Sequence, residues 1–505
     1  MLILLPIWVL AVAAQTTDDG SKIYFENELP LFKTKASQAA EPQMVPQKVP
    51  QMIPQKVPQM VPQKTPQMVP QKTSQMVPQK VPQMVPQKSP QMVPQKVPQM
   101  APPMPSMAND RNTCNRQYVA KGLREISINL DNLIRKYSQD ENTLLSPIPI
   151  ANAMGLLLLG AKGRTAQEIS CLFGNNPDFD VSRSPDLLHK ELGSLIDDLI
   201  LQPGVSSGSE VSVGAAVFPN QWYGIKSSYI EKAATIYHSD IVPLDYIYRG
   251  SEAKTIINKW VANATNNRIK TILDRTPLPT TSIVLVSAIY FNCEWKHTFP
   301  LTNTKMKPFY TGKFTKNGEE EYVHVQMMLN SAEALYMEDK TRQLQVLGLP
   351  YKGDEIVMYI VLPEGDLKQA LNQLREADFK EMINSCKSRQ TIYMIPKMKL
   401  EAQLQLETLL PELGVTSLFD QTISDLDGIA PRAYVNEIIH KVEIEVTETG
   451  TVASAATAAT INRGNFIPVV RADKPFLFFI HHVKTDSFLF WGTVMKPTPY
   501  TSPKG

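Results

Sequence analysis

Proline sets the first limit on what this chain can fold into. From Gln43 to Pro98 the sequence is seven octads of the type QMVPQKVP, beginning at Gln43, Gln51, Gln59, Gln67, Gln75, Gln83 and Gln91, and proline usually returns every fourth residue. Each proline fixes φ and removes an amide donor, which excludes helix and interior strand. The segment is expected to be a disordered, polyproline-II-like spacer, reaching at most about 170 Å at about 3.1 Å per residue. Every octad also presents a Gln and a Lys, the acyl donor and the amine that a transglutaminase joins, so cross-linking of the repeat is a second expectation. The 505-residue chain is thereby divided. Residues 15–42 and 99–111 read as linkers, a globular domain is expected over 112–498, and residues 499–505 form a tail.

Ahead of the repeat, MLILLPIWVLAVAAQ holds a 13-residue apolar run, Leu2 to Ala14, closed by small residues. It suits a secretory signal over residues 1–14 and is too short for a span, which needs about 20 apolar residues. A secreted, extracellular protein that crosses no membrane is expected. The four cysteines, Cys114, Cys171, Cys293 and Cys386, are widely spaced and form no metal-ligand pattern. The sequon Asn263-Ala264-Thr265 is a candidate glycosylation site that fits the same compartment. The net charge of +2 conceals seven lysines and no acid in the repeat, which leaves about −5 elsewhere and no basic field for nucleic acid.

Beyond residue 112 both periodicities appear. Ser146-Pro147 reads as a helix cap and first-turn proline, and Thr165-Ala166-Gln167-Glu168 as a capping box opening a short helix that Gly174 ends. The run SIVLVSAIYF, Ser282 to Phe291, is β-rich without alternation, as for a central strand buried on both faces. HKVEIEVTE, His440 to Glu448, alternates, with Val442, Ile444 and Val446 on one face. Two buried strands are expected around a Lys484-Thr485-Asp486 turn. Helices come early and strands late, so the class is α+β.

Catalytic patterns fail on context. GVSSG, Gly204 to Gly208, matches the G-x-S-x-G elbow of hydrolases, which needs a strand before it and a helix after it; here the pattern is helix, then strand. His481 and His482 are adjacent, so on a strand they face opposite sides and do not converge on a metal. No enzyme activity, cofactor or metal is expected.

One segment is neither loop-like nor core-like. From Thr449 to Asn462 the chain carries no charge, no proline and no large side chain except Val452 and Ile461, and Arg463 follows. A loop that must later enter a sheet as a strand has this composition. Thr451, Ala453, Ala455, Thr457, Ala459 and Ile461 would face one way, and a charge among them would be buried without a partner at a cost of several kcal/mol.

These residues resemble the serpin family. TETGTVASAATAAT is similar to the family's reactive-loop hinge, with Glu448, Gly450 and Thr451 at its acidic, glycine and small-hydroxyl positions and Ala453, Ala455 and Thr457 in its small-residue run. VRADKPFLFFI, LLSPIPIANAMGLLLLGAKGRTAQEI, LVSAIYFNCEWKHTF and IPKMKLEAQLQLETLLPELGVTSLF resemble further family blocks in the family's order, from about residue 112 to 498. The resemblance implies three β-sheets, about nine helices and an exposed loop. It also implies a monomeric inhibitor that traps an extracellular trypsin-like serine protease as an acyl-enzyme when the cleaved loop inserts. The scissile bond is expected at Arg463-Gly464, next at Gly464-Asn465, with an elastase-type bond near Ala459 to Ile461 also open. A carrier or storage role, or a matrix protein tethered by its repeat, are the alternatives. The family pattern places Ser146, Ser287, Trp295 and His440 where the sheet opens. Departures lie there too: Ser287 stands for an asparagine, which leaves open its hydrogen bond to His440, while Pro149 replaces a serine and Cys293 a glycine.

Overall fold

The computed structural model describes residues 107–138, 140–174, 185–200, 210–449 and 467–498. The signal, residues 15–42, the repeat, residues 99–106, the GVSSG segment, Gly450 to Phe466 and the tail lie outside these residues, and with them Thr451, Ala453, Ala455, Thr457, Arg463, Gly464 and Asn465, whereas residues 107–111, expected as linker, open the first helix.

The described chain begins with α1 (Met107–Tyr137), β1 (Thr143–Leu145), α2 (Pro147–Leu158), α3 (Gly163–Cys171) and α4 (Pro185–Ile200). Next come β2 (Glu210–Pro219), α5 (Ser227–Tyr237), β3 (Asp240–Ile241), α6 (Gly250–Ala264), β4 (Ile283–Asn292), β5 (Lys305–Phe314) and β6 (Glu320–Asp339). β7 (Leu344–Pro350), β8 (Ile356–Pro363), α7 (Leu367–Gln373), α8 (Glu376–Ser385), β9 (Lys387–Pro396), β10 (Met398–Gln405) and α9 (Leu406–Leu409) follow. The chain closes with β11 (Glu437–Val446), β12 (Val469–Arg471), β13 (Phe476–His482) and β14 (Ser487–Val494). The α+β class and nine α-helices, counted among the described residues, match the reading of the sequence.

Hydrogen bonding joins the described strands into two networks rather than three separate sheets. One is β10-β11-β4-β2-β3; the other runs β1-β14-β13-β8-β7-β6-β9-β12, with β5 attached to β6. The merger is the work of β6, which is long enough to pair with β5 through Met327, with β9 from Met327 to Tyr336 and with β7 from Leu335 onward.

Burial explains why β4 lacks alternation. Ile283, Leu285, Ile289 and Phe291 enter the main core, while Val284, Val286 and Ala288 lie under α6, whose Ala253, Ile257 and Val261 recur at helical spacing. α2 is apolar all round and buried throughout, as a helix enclosed by other elements must be. Gly155 is required on α2 because an added Cβ would stand 2.5 Å from the Tyr237 hydroxyl. That hydroxyl also meets His189 Nδ1 at 2.6 Å, tying α5 to α4.

Two expected caps form differently. Ser146 occupies the N-cap position of α2, but its hydroxyl makes no cap and donates to the Leu489 carbonyl instead. α3 starts at Gly163 with Lys162 as N-cap, so Thr165 lies inside the helix and its hydroxyl accepts from the Asp425 amide. Glu168 then turns to the amides of Thr416 and Ser417 rather than to its own helix start. In both cases a tertiary partner displaces the local one.

Candidate functional site

The site is a seam. β4 and β11 are parallel and directly hydrogen-bonded, from Val284 opposite Glu437 to Phe291 opposite Ile444. The chain leaving β11 can fold back only antiparallel to it, and therefore antiparallel to β4 as well. A segment that follows Val446 can therefore lie between the two as a strand antiparallel to both, once their mutual hydrogen bonds part.

Mid-seam, His440 of β11 faces Ser287 of β4 as its register partner, and both are fully buried. The Ser146 amide donates to His440 Nε2 at 3.1 Å, which places the ring proton on Nδ1. Nδ1 then donates to Ser287 Oγ at 3.0 Å. Serine therefore makes the bond that its substitution for asparagine left open. Burial pushes the imidazole down to about 3, so it is neutral at ordinary pH. Cys293 and Pro149, the other departures, are buried in the core.

At the end of the seam the chain is clasped as it leaves β11. Trp295 Nε1 donates to the Thr447 carbonyl at 2.8 Å, and the Phe299 amide to that of Glu448 at 2.8 Å. Trp295 is positioned by stacking on Tyr351, with centroids 4.3 Å apart. The buried Glu448 carboxylate pairs with Lys397 Nζ at 2.8 Å and accepts from Thr304 Oγ1 at 3.0 Å. Burial opposes its ionisation, yet these partners hold the carboxyl below its ordinary value. Ser146, Ser287, Trp295, His440 and Glu448 thus all border one seam, the first two with His440 at its middle and Trp295 with Glu448 at its end.

Sequence reasoning missed the strap over the seam. The segment after α6 crosses this sheet, with Arg268 over the Tyr290 ring of β4 at 5.3 Å. Lys441 of β11 donates to the Thr271 carbonyl at 2.8 Å, and Gln403 of β10 to that of Ile272 at 3.1 Å. Lys397 and Thr304 were missed as well; no spacing in the sequence links them to Glu448.

The other candidates remain apart. Asn263 is exposed near the end of α6. His481 takes Asp486 and His482 takes Thr485 as separate partners, at 3.1 and 2.8 Å. No disulfide joins Cys171, Cys293 and Cys386. The helix α4 and the strand β2 flank the GVSSG segment, the reverse of a nucleophile elbow.

The comparison with known families follows from these blocks of sequence and this fold. The family model Serpin (serine protease inhibitor) matches residues 121–497. This chain is a serpin. Intracellular coagulation inhibitor 2 of Tachypleus tridentatus is 30% identical over 71% of this chain and 87% of its own length. Human Serpin B11 is 31% identical over 71% and 94%, and chicken (Gallus gallus) neuroserpin 31% over 74% and 91%. Among solved structures, human thyroxine-binding globulin superposes with a TM-score of 0.67 over 76% of this chain and 99% of its own, at 22% identity, a likeness of fold. The family consists mainly of protease inhibitors rather than catalysts, and that binder of thyroxine carries the same fold.

Proposed function

We propose that this serpin is a secreted inhibitor that traps a trypsin-like serine protease by cleavage at Arg463-Gly464 and insertion of the loop between β4 and β11. The protease serine attacks the Arg463 carbonyl, the bond to Gly464 breaks, and the new Gly464 amine leaves with a proton. An ester to Arg463 remains. If the freed segment from Gly450 enters the seam before water reaches that ester, the protease is carried away from its working geometry. The observation that carries this reading is the direct pairing of β4 with β11 beside an uncharged, proline-free segment long enough to separate them.

The remaining parts of the proposal follow the sequence: a signal over residues 1–14, a glycan on Asn263, a monomeric domain over 112–498, and a repeat that spaces it or is cross-linked by a transglutaminase. Cleavage at Arg463 followed by thermal melting tests the mechanism. Insertion raises the melting temperature well above that of the uncleaved protein; a cleaved chain that melts with the parent refutes insertion.

A further inference from the structure

Three described tyrosines are exposed, and their surroundings differ. Tyr137 follows Arg135 and Lys136, and its hydroxyl donates to the Glu412 carboxylate. Tyr248 precedes Arg249, and the one acid close before it, Asp245, is occupied by the amides of Ile247 and Tyr248 at 3.0 and 2.9 Å. Tyr322, 51% exposed, follows Glu319, Glu320 and Glu321, and no lysine or arginine lies within five residues of it on either side. Among the described residues, nothing pairs with the three carboxylates or bonds to the Tyr322 hydroxyl.

The local backbone leaves this side chain accessible. From Glu320 to Gln326, β6 pairs only with β5, since β9 joins at Met327 and β7 at Leu335. Immediately beyond the pair of Tyr310 with Tyr322 the ladder breaks: the next pair is Phe314 with Glu320, so Thr311, Gly312 and Lys313 stand opposite Glu321 alone. Gly312 takes a φ of +73° in this bulge, a conformation that favours glycine. The tip beyond, Lys313 to Glu320, is exposed throughout. A two-stranded ribbon is marginal on its own, and one interrupted by a bulge opens locally at small cost. The acids and the tyrosine are thus available to the cleft of another protein as extended chain, while the rest of β6 stays in its sheet.

We infer that Tyr322 is a site of tyrosine O-sulfation, with Glu319, Glu320 and Glu321 as its recognition signal. The inference rests on the secretion proposed above, because this modification is made on proteins in transit through the secretory pathway. The phenolic oxygen attacks the sulfur of an activated sulfate, a mixed anhydride of sulfate with a nucleotide phosphate. A sulfur–oxygen bond to the phenol forms as the bond to the bridging oxygen breaks; the phenol proton passes to a base of the transferase, and the nucleotide leaves with its phosphate. A transferase that holds this polyanionic donor presents cations, which the three carboxylates complement and which the arginines and lysine beside Tyr137 and Tyr248 repel. The product adds a permanent negative charge to the three already on the hairpin.

The test is to secrete the full chain from animal cells that sulfate tyrosine on a secreted control, labelling with inorganic sulfate. The expected result is tyrosine O-sulfate in the tryptic peptide spanning residues 317–340, recovered after alkaline hydrolysis, which separates it from sulfate on a glycan. Tyr322→Phe removes the label from that peptide, and Glu319→Gln/Glu320→Gln/Glu321→Gln lowers it at least about fivefold, while both variants melt with the parent. A secreted parent whose peptide is unmodified, or carries phosphate instead, overturns the inference, as does label that survives Tyr322→Phe or is undiminished in the triple variant. A parent retained in the cell with residues 1–14 uncleaved refutes the secretory reading itself, and the inference falls with it.

Discussion

Ser287→Ala isolates the bond across the closed seam. His440 Nε2 is occupied by the Ser146 amide, so the Nδ1 proton depends on Ser287 Oγ alone. Deleting that oxygen leaves a buried donor without an acceptor, a loss of about 1–3 kcal/mol. If the bond is broken when the sheet opens, the unfolding rate of the native protein rises about five- to 150-fold. After cleavage and insertion, a strand separates β4 from β11, their spacing doubles to about 9.6 Å, and the His440 to Ser287 bond no longer exists. The same substitution then changes unfolding of the cleaved form less than about twofold. Stopped-flow or manual-mixing unfolding in guanidinium, run on both forms, reads the difference. Equal acceleration in both, or none in the native form, refutes the idea that this bond belongs to the closed sheet only.

Three further outcomes are expected. Thr451→Arg obliges a charge to enter the sheet and turns the protein toward a substrate, so the number of inhibitor molecules consumed per protease trapped rises at least about tenfold in titration while loop cleavage persists. Lys441→Met releases the strap from the Thr271 carbonyl and removes a 3.0 Å ion pair with Glu401; spontaneous loss of inhibitory capacity on warming accelerates about fivefold per kcal/mol lost. Burial pushes His440 down to about 3, and His189 and His482 down to about 4, so the unfolded chain takes up protons near pH 6.5 that the folded sites refuse. Stability against denaturant is therefore unaffected by these groups above about pH 6.5 and falls on acidification toward pH 4, by at most about 1.4 kcal/mol per unit for each histidine. Glu407, raised by burial to about 7, acts oppositely: its stabilisation is present below pH 4.5 and lost as pH rises through 7, cancelling about one histidine's slope in between. A curve that rises on acidification from pH 6.5 to 5 refutes this assignment.

Periodicity and composition made the central elements legible. β11 showed its alternation and β4 its burial on two sides, because each residue's neighbours across the sheet are set by face alone. The failure of GVSSG as an elbow was equally plain, since it needed only the order of flanking elements. Features decided by distant partners were not legible. The Ser146 hydroxyl had a local cap available, yet the Leu489 carbonyl, brought close by β14, took it. Thr165 and Glu168 served the segment around Ser417 and Asp425 rather than their own helix. The strap from α6, the Lys397 to Glu448 pair and the fusion of two sheets through β6 depend on contacts that no local pattern records.

Incubation of the mature protein with trypsin at equimolar ratio, followed by a denaturing gel and intact mass, tests trapping most directly. The expected product is a stable adduct at the summed mass less a C-terminal fragment beginning at Gly464. Complete cleavage at Arg463-Gly464 into two fragments, with active trypsin and no adduct, would contradict it.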